Sequence, residues 1–522
     1  LFTGRVRELA LLTAALDTGA EEGATLVISA LGGVGGIGKT TLALRWAHEN
    51  VERFPDGQLY VNLRGFDPTE APMSSGVAIR GFLDALRVNP SAIPVDLNSQ
   101  TALYRGLVAG KRMLIVLDNA RDTAHVAPLL PGGSTCTVLV TSRNQLAGLI
   151  TAHGARPLAL DTLTEAESRE MLTRHIGPDC IAAEPKAVND LLEQCAGLPL
   201  ALGIIAARVV THPGFPLSVL ADELRDTATR LDAFDAGELN VNLRAVFSSS
   251  CDGLDTETAN MFGLLGLAPG PDISLHAVAN LNALSVSHAR ALLRDLEVAQ
   301  LVQQYHPGRY RMHDLVRLYA AERASHNHSD GGRYTALRRV VDFYLHTAYA
   351  GERLLYPHRR PIKLDPPTSA WISYPIKNPE AALTWFDTEH PCLLAAQQMA
   401  VEQGWNTHVW QLAWSLSSFH WRQGRIANDS ATVWRAALIA ADRLGVPATQ
   451  AKAHRHLGRA CTWATKHTES FEHLQHALTL SEEADDAPEQ AATHRTLAWA
   501  WEQQGDYKQA LSRRNQITYP IG

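Results

Sequence analysis

The sequence predicts a multidomain chain: an α/β domain with a three-layer, mostly parallel sheet, then an all-α region ending in a helical solenoid. Three observations carry this. A β-prone run, Leu26-Val27-Ile28-Ser29, feeds a glycine-dense turn that opens into a helix. Further apolar runs at 58–63, 113–119 and 137–143 alternate with helical periods. Beyond about residue 162 the strand signal stops, and Leu416, Leu457 and Leu497 then recur at about 40 residues, as do Ala437-Leu438 and Ala477-Leu478, close to the period of helical-hairpin arrays.

Taken in order, Phe2-Thr3-Gly4-Arg5-Val6-Arg7-Glu8-Leu9 reads as a short turn and an amphipathic helix. The next turn, Gly33-Val34-Gly35-Gly36-Ile37-Gly38-Lys39-Thr40, fits G-x-x-x-x-G-K-[ST] at every position. That pattern is a phosphate-binding loop. Its glycines let successive backbone N–H groups face an anion, and the new helix adds its free N–H groups and positive dipole end. Lys39 is placed to reach the β/γ-phosphates and the Thr40 hydroxyl to ligate Mg²⁺. A looser region with Pro68, Pro72, Pro90 and Pro94 holds a helix over 77–86. The run Met113-Leu114-Ile115-Val116-Leu117-Asp118 reads as a buried parallel strand whose terminal carboxylate reaches the Mg²⁺ shell. Thr141-Ser142-Arg143 puts a polar triplet at a C-terminal strand edge, where α/β sheets bind ligands.

The apolar run 198–210 is too short for a bilayer and contains Arg208, so it reads as a buried helix. It opens with Gly197-Leu198-Pro199-Leu200, which alone is a helix start with proline in its first turn. Short helices over 240–324 lead to Leu301-Val302-Gln303-Gln304-Tyr305, a turn at His306-Pro307-Gly308, and Arg309-Tyr310-Arg311-Met312. A hairpin after helices has the shape of a winged helix. Met312-His313-Asp314 follows, and alone it reads as a helix cap with Asp314 accepting N–H groups. Residues 330–400 read as helices interrupted by Pro357, Pro361, Pro366 and Pro367, with an amphipathic segment starting at 381–386. The last unit, from Thr496-Leu497-Ala498-Trp499 to Gly505-Asp506-Tyr507, resembles a tetratricopeptide (TPR) repeat. The expected domains are 1–158, 159–237, 238–326, 327–404 and 405–522.

A net charge of −7 argues against the whole chain being a nucleic-acid binder. Six scattered cysteines without a C-x-x-C pair signal neither a disulfide framework nor a zinc site, and suit a reducing cytoplasm. His454, His456, His473, His476 and His494 gather near the C-terminus and read as surface histidines rather than a metal site, for want of a carboxylate or cysteine partner. The chain opens at Leu1 and closes just after Tyr519-Pro520, so the expectation is of a piece excised from a longer protein.

Together these motifs resemble the NB-ARC branch of the STAND signalling ATPases, in particular the ATPase and repeat portion of bacterial AfsR-like and SARP-type regulators. Phe2, Gly4 and Arg5 with Glu8 are similar to the G-R-x-x-E motif that borders adenine and ribose. Gly33, Gly35, Gly36, Ile37, Gly38, Lys39, Thr40 and Thr41 match the phosphate loop, Asp118 the Mg²⁺ strand, and Arg143 the sensor that meets the γ-phosphate. Pro199 and Leu200 match the G-L-P-L motif, whose proline packs on adenine, and His313 the M-H-D histidine that contacts the ADP β-phosphate.

The resemblance implies ATP or ADP with Mg²⁺ as ligands. It implies an ADP-closed switch of a cytoplasmic transcriptional regulator, opening and self-associating with ATP. It also implies a DNA-binding effector domain N-terminal to this chain, and a repeat region that senses a peptide, protein or small ligand; a plain scaffold is the alternative for that region. Lys39, Asp118 and Arg143 would be the hydrolytic set of, at most, a slow ATPase. Where many relatives have a second acid, this chain has Asn119, which cannot act as a general base, and Asp122 is the carboxylate next in line. Conventional ATP turnover and direct DNA binding by the winged helix are the competing functions. The wing carries only Arg309 and Arg311, so no DNA contact, and no membrane contact, is expected.

Overall fold

The computed structural model describes residues 2–21, 27–66, 71–212, 214–225, 230–234, 243–423 and 427–517. Leu26, Pro68, Asn240 and Tyr519-Pro520 lie outside the described residues. The α/β core is a five-stranded sheet of β1 (Val27–Gly32), β2 (Gln58–Asn62), β3 (Leu114–Ala120), β4 (Thr137–Ser142) and β5 (Arg156–Ala159). The spatial order is β2-β3-β4-β1-β5, and each pairing is parallel. β3 and β4 are buried along nearly their whole length, which is why their sequences are continuous apolar runs. β5 escapes sequence analysis because Arg-Pro-Leu-Ala neither alternates nor runs apolar. Its Pro157, lacking an N–H, is tolerated because the strand sits at the sheet edge.

Helices cover the sheet. Ser75–Ala85, expected over 77–86, is capped by the Ser74 side chain, and Leu97–Val108 by Asp96. Ile79, Leu83 and Tyr104 from these helices pack with Leu63, Leu117 and Val138 of the strands and their ends in one apolar core.

The chain divides into two compact units, Leu1–Gly266 with Ala291–Tyr305 and Met312–Asn327, and Leu267–Arg290 with His306–Arg311 and His328–Gly522. In the first unit, the apolar run expected as a buried helix forms Pro199–Thr211, with Ala201, Leu202, Ile204 and Ile205 buried and Pro199 in the first turn. The helix Glu165–Ile176 starts with a capping box between Thr164 and Glu167. The expected hairpin strands occur at Gln303–His306, where the first-unit segment ends, and at Arg309–Arg311 of the second unit, with Gly308 at φ 74° in the turn.

In the second unit Arg309–Arg311 pairs antiparallel with Ile273–Ser274, and Arg309 is buried in ion pairs with Asp272 and Glu389. The helices Asp330–Leu355 and Pro379–Glu402 are separated by a proline-rich segment with no regular structure. The array then runs through Asn406–Gln423, Ala427–Leu444, Pro447–Trp463, His467–Glu483, Ala487–Gln504 and Tyr507–Arg514. One period of about 40 residues therefore holds two antiparallel helices. Gly458 lets two neighbours approach: a Cβ there would lie 2.7 Å from Leu474 Cγ.

All six cysteines are free thiols, five buried and Cys180 partly exposed. No helix among the described residues is long and apolar enough to cross a membrane. Leu117, fully buried in β3, tests the core: Leu117→Ala is expected to cost about 2–5 kcal/mol, read as a lowered midpoint of the first urea transition by far-UV circular dichroism.

Candidate functional site

The strand order assembles the site. β4 lies between β1 and β3, so the C-terminal ends of three adjacent strands deliver the glycine loop, Asp118 and the Thr141-Ser142-Arg143 triplet to one sheet edge. Asp118 is the hub there. Its Oδ1 accepts hydrogen bonds from the Thr40 hydroxyl at 2.9 Å and the Thr141 hydroxyl at 2.5 Å, and its Oδ2 from the Tyr60 hydroxyl at 3.2 Å. Burial, with the Asp118 charge alongside, pushes the Tyr60 phenol up to about 12. Sequence analysis placed Thr141 in the polar triplet but not on Asp118, and it missed Tyr60. The signal for Thr141 was its place beside Arg143; the alternation of β2 said nothing about Tyr60 facing an acid.

The loop has the backbone that an anion cradle needs. Gly33, Gly36 and Gly38 have φ of 147°, 81° and 93°, and Gly38 is the N-cap of Lys39–Glu49 with no side chain capping that helix start. Lys39 donates to Gly33 O at 2.6 Å and Val34 O at 3.1 Å. Burial, then the nearby Arg143 charge, bring its ammonium down to about 7, with Asp118 acting in the opposite sense. These features fit a phosphate group and Mg²⁺: free helix N–H groups, a buried lysine held by weak carbonyl acceptors, and a threonine–aspartate pair.

Arg5, Pro199 and Leu200 meet this loop. Arg5 is buried and donates to Ile37 O at 3.1 Å, while its own N–H is held by Glu167 at 2.9 Å and its side chain pairs with Glu8. Phe2 lies under Arg45, with the guanidinium 5.9 Å from the ring. Leu200 N–H donates to Gly36 O at 3.2 Å, and Pro199 lies beside Gly38. Leu200 packs so closely that a Cβ on Gly36 would lie 2.9 Å from it. Thr41 is exposed on the first helical turn.

Arg143 points across to the helix Leu243–Cys251, where its Nη1 donates to Val246 O at 2.5 Å and Ser249 Oγ at 2.6 Å, with the guanidinium 5.6 Å from the Phe66 ring. Val246 also covers the loop, since a Cβ on Gly35 would lie 2.5 Å from Val246 Cγ1. His313 is bound elsewhere. Its Nε2 donates to Ala196 O at 3.1 Å and its Nδ1 accepts the Leu315 N–H at 3.2 Å, so the structure does not place the imidazole on the phosphate loop. His313, not Asp314, thus acts as the cap of Asp314–Asn327. Burial lowers its pKa and favours the neutral ring that this donor–acceptor pattern requires. Asn119, at φ 55°, donates its N–H to Thr141 Oγ1, and Asp122 caps a short helix through His125 N–H.

Of the C-terminal histidines, His476 is exposed as expected, and the other four are less so. His456 is buried and stacks on Trp434 at 4.3 Å, and His454 and His473 meet through their Nδ1 atoms at 3.0 Å. They fill gaps between stacked helices, which their scatter along the sequence hides. No group of three or more metal-ligating side chains occurs among the described residues.

Residues 449–517 match the tetratricopeptide repeat family model. The chain is 38% identical over 491 residues to the regulatory protein AfsR of Streptomyces griseus, covering 94% of this chain and 49% of that protein. It is 41% identical over 405 residues to AfsR of Streptomyces coelicolor, covering 76% of this chain and 40% of that protein. The chain therefore spans about half the length, or less, of these relatives, and it resembles them as the sequence motifs imply. Among solved structures, a STAND protein with a tetratricopeptide repeat sensor from Pyrococcus horikoshii aligns over 99% of this chain and 82% of its own, at 14% identity and a TM-score of 0.28.

The depressed Lys39 gives a signed pH dependence. Its folded value near 7 lies below the ordinary 10.5, so the unfolded chain binds more protons between those values and stability rises with pH across that window. Lys39→Met lacks this titration. The melting temperature of the parent, measured relative to Lys39→Met, is expected to climb from pH 7 to pH 10; a constant offset contradicts the buried-lysine assignment.

Proposed function

We propose that this chain is the nucleotide-dependent switch of a bacterial transcriptional regulator, closed with ADP and opened for self-association with ATP. In this reading 1–158 binds the nucleotide, 159–237 and 238–326 are the helical and winged-helix domains, 327–404 is a linker, and 405–522 is the sensing array. The observation that carries it is the hold of Arg143 on Val246 and Ser249.

When bound, Mg-nucleotide would supply phosphate charge to the cradle. Lys39 would exchange its two carbonyl acceptors for phosphate oxygens, Thr40 and Asp118 would hold the Mg²⁺ shell, and Arg5, Pro199 and Leu200 would border the base. Contacts equal in both nucleotide states shift nothing. Arg143 is different, because a γ-phosphate competes for it and a diphosphate leaves it on the Leu243–Cys251 helix. A charge-assisted hydrogen bond is worth about 1.5–3 kcal/mol, so the two from Arg143 come close to the about 5.5 kcal/mol that carries a two-state equilibrium across. His313 adds a second tie, holding the start of Asp314–Asn327 to Ala196 beside the Gly197-Leu198-Pro199-Leu200 segment.

Hydrolysis plays a small part. Asn119 offers no base and Asp122 is engaged as a cap, which makes this at most a slow ATPase. The cytoplasm, an effector domain beyond this chain, and a peptide, protein or small ligand on the array complete the proposal.

Three measurements test it. Lys39→Ala is expected to abolish binding of micromolar nucleotide while leaving the circular dichroism unchanged, and retained binding contradicts the site. His313→Ala and Arg143→Ala are each expected to speed release of a fluorescent ADP about tenfold or more in stopped flow, and unchanged rates remove these residues from the switch. Because phosphate raises the pKa of Lys39, nucleotide binding is expected to take up a proton above about pH 7, measured calorimetrically in buffers of different ionisation enthalpy.

A further inference from the structure

We propose that the second unit carries an oxyanion site where the turn after Asp330–Leu355 meets the helices Asn406–Gln423 and Pro447–Trp463. It takes a small ligand bearing a phosphate or carboxylate group on Arg359, Arg455 and Arg459. The site owes nothing to the nucleotide cradle.

Two of these arginines converge on one acceptor. His456 Nε2 lies 3.0 Å from an Arg359 nitrogen and 3.2 Å from an Arg455 nitrogen, while Trp434 stacks flat on the imidazole at an interplanar angle of 7°. Arg359 lies over the Trp414 ring at 3.9 Å and pairs with the buried Glu352, whose other hydrogen bonds come from Ser418. Arg455 pairs with Glu489. Both available carboxylates are thereby used. Arg459 follows Arg455 by four residues on the same helix face, and among the described residues it has neither hydrogen bond nor ion pair. Burial, then the charges of Arg455 and Arg359, push its guanidinium down to about 9.

The surroundings do not neutralise it. Arg353 and Arg422 donate to backbone carbonyls of Pro357 and Leu355, and Arg360 and Lys452 share the single carboxylate of Asp486. Seven cations thus face three carboxylates, in a chain whose net charge is −7. Glu352, already paired with Arg359, is the carboxylate whose charge opposes the shift at Arg459, and a largely enclosed cation with no carboxylate of its own is costly. Guanidinium forks set around a rigid aromatic floor are suited to a planar or tetrahedral oxyanion.

The test uses the full chain carrying Lys39→Ala, which disables the phosphate loop. Inorganic pyrophosphate and tricarballylate are titrated separately at ionic strength held constant with KCl, reading tryptophan fluorescence and melting temperature. A saturable response to at least one anion is expected, weakened about tenfold or more by Arg459→Gln and unaffected by Arg80→Gln on an exposed helix face. The responsive anion identifies the headgroup. Because Arg459 makes no bond to lose, Arg459→Gln is expected to melt no lower than its parent in KCl alone. No saturable response, an equal response after Arg459→Gln, or a lower melting temperature without anion each overturns the proposal.

Discussion

The guanidinium of Arg143 spans 103 residues of sequence to reach Val246, and the cover over the glycine loop depends on that reach. It ties the Leu243–Cys251 helix to the edge of the parallel sheet and brings Val246 down over Gly35. It also helps deprive the neighbouring Lys39 of its proton. One cation thereby adds to the effect of burial on Lys39 and attaches a distant helix. Any anion that draws Arg143 towards the loop must loosen that attachment, because a side chain that has committed its donors to one set of acceptors cannot serve another at full strength.

Much of the α/β core was legible because its physics is local. The glycine loop, the helix that follows it and the buried strand ending in Asp118 are each specified by contiguous residues, and each stands where the spacing puts it. What was not legible depends on strand order. No local pattern says that β4 lies between β1 and β3, so the bond from Thr141 to Asp118 and the approach of Tyr60 could not be read. β5 was missed for a related reason: an edge strand needs neither alternation nor an apolar run. For His313, the motif drew attention to the residue, while its partners, Ala196 O and Leu315 N–H, came only with the fold.

The second unit shows how composition conceals local charge. An acidic chain still gathers arginines around one turn, because the i, i+4 spacing of Arg455 and Arg459 and the separate segment carrying Arg359 meet only when the helices stack. The histidines behave similarly. Scattered along the sequence, they look like solvent-facing residues; folded, His456 becomes a flat, neutral filler against Trp434, while His476 does face solvent.

The distribution of thiols offers a practical handle. Five of the six cysteines are sealed in packed interiors, and burial raises the pKa of each of those five, which suppresses the reactive thiolate. Cys180, on the short helix Pro178–Ala183, is the one left within reach of reagents. A maleimide dye would therefore label the native chain at a single place without engineering, turning rearrangements of the first unit into an optical signal.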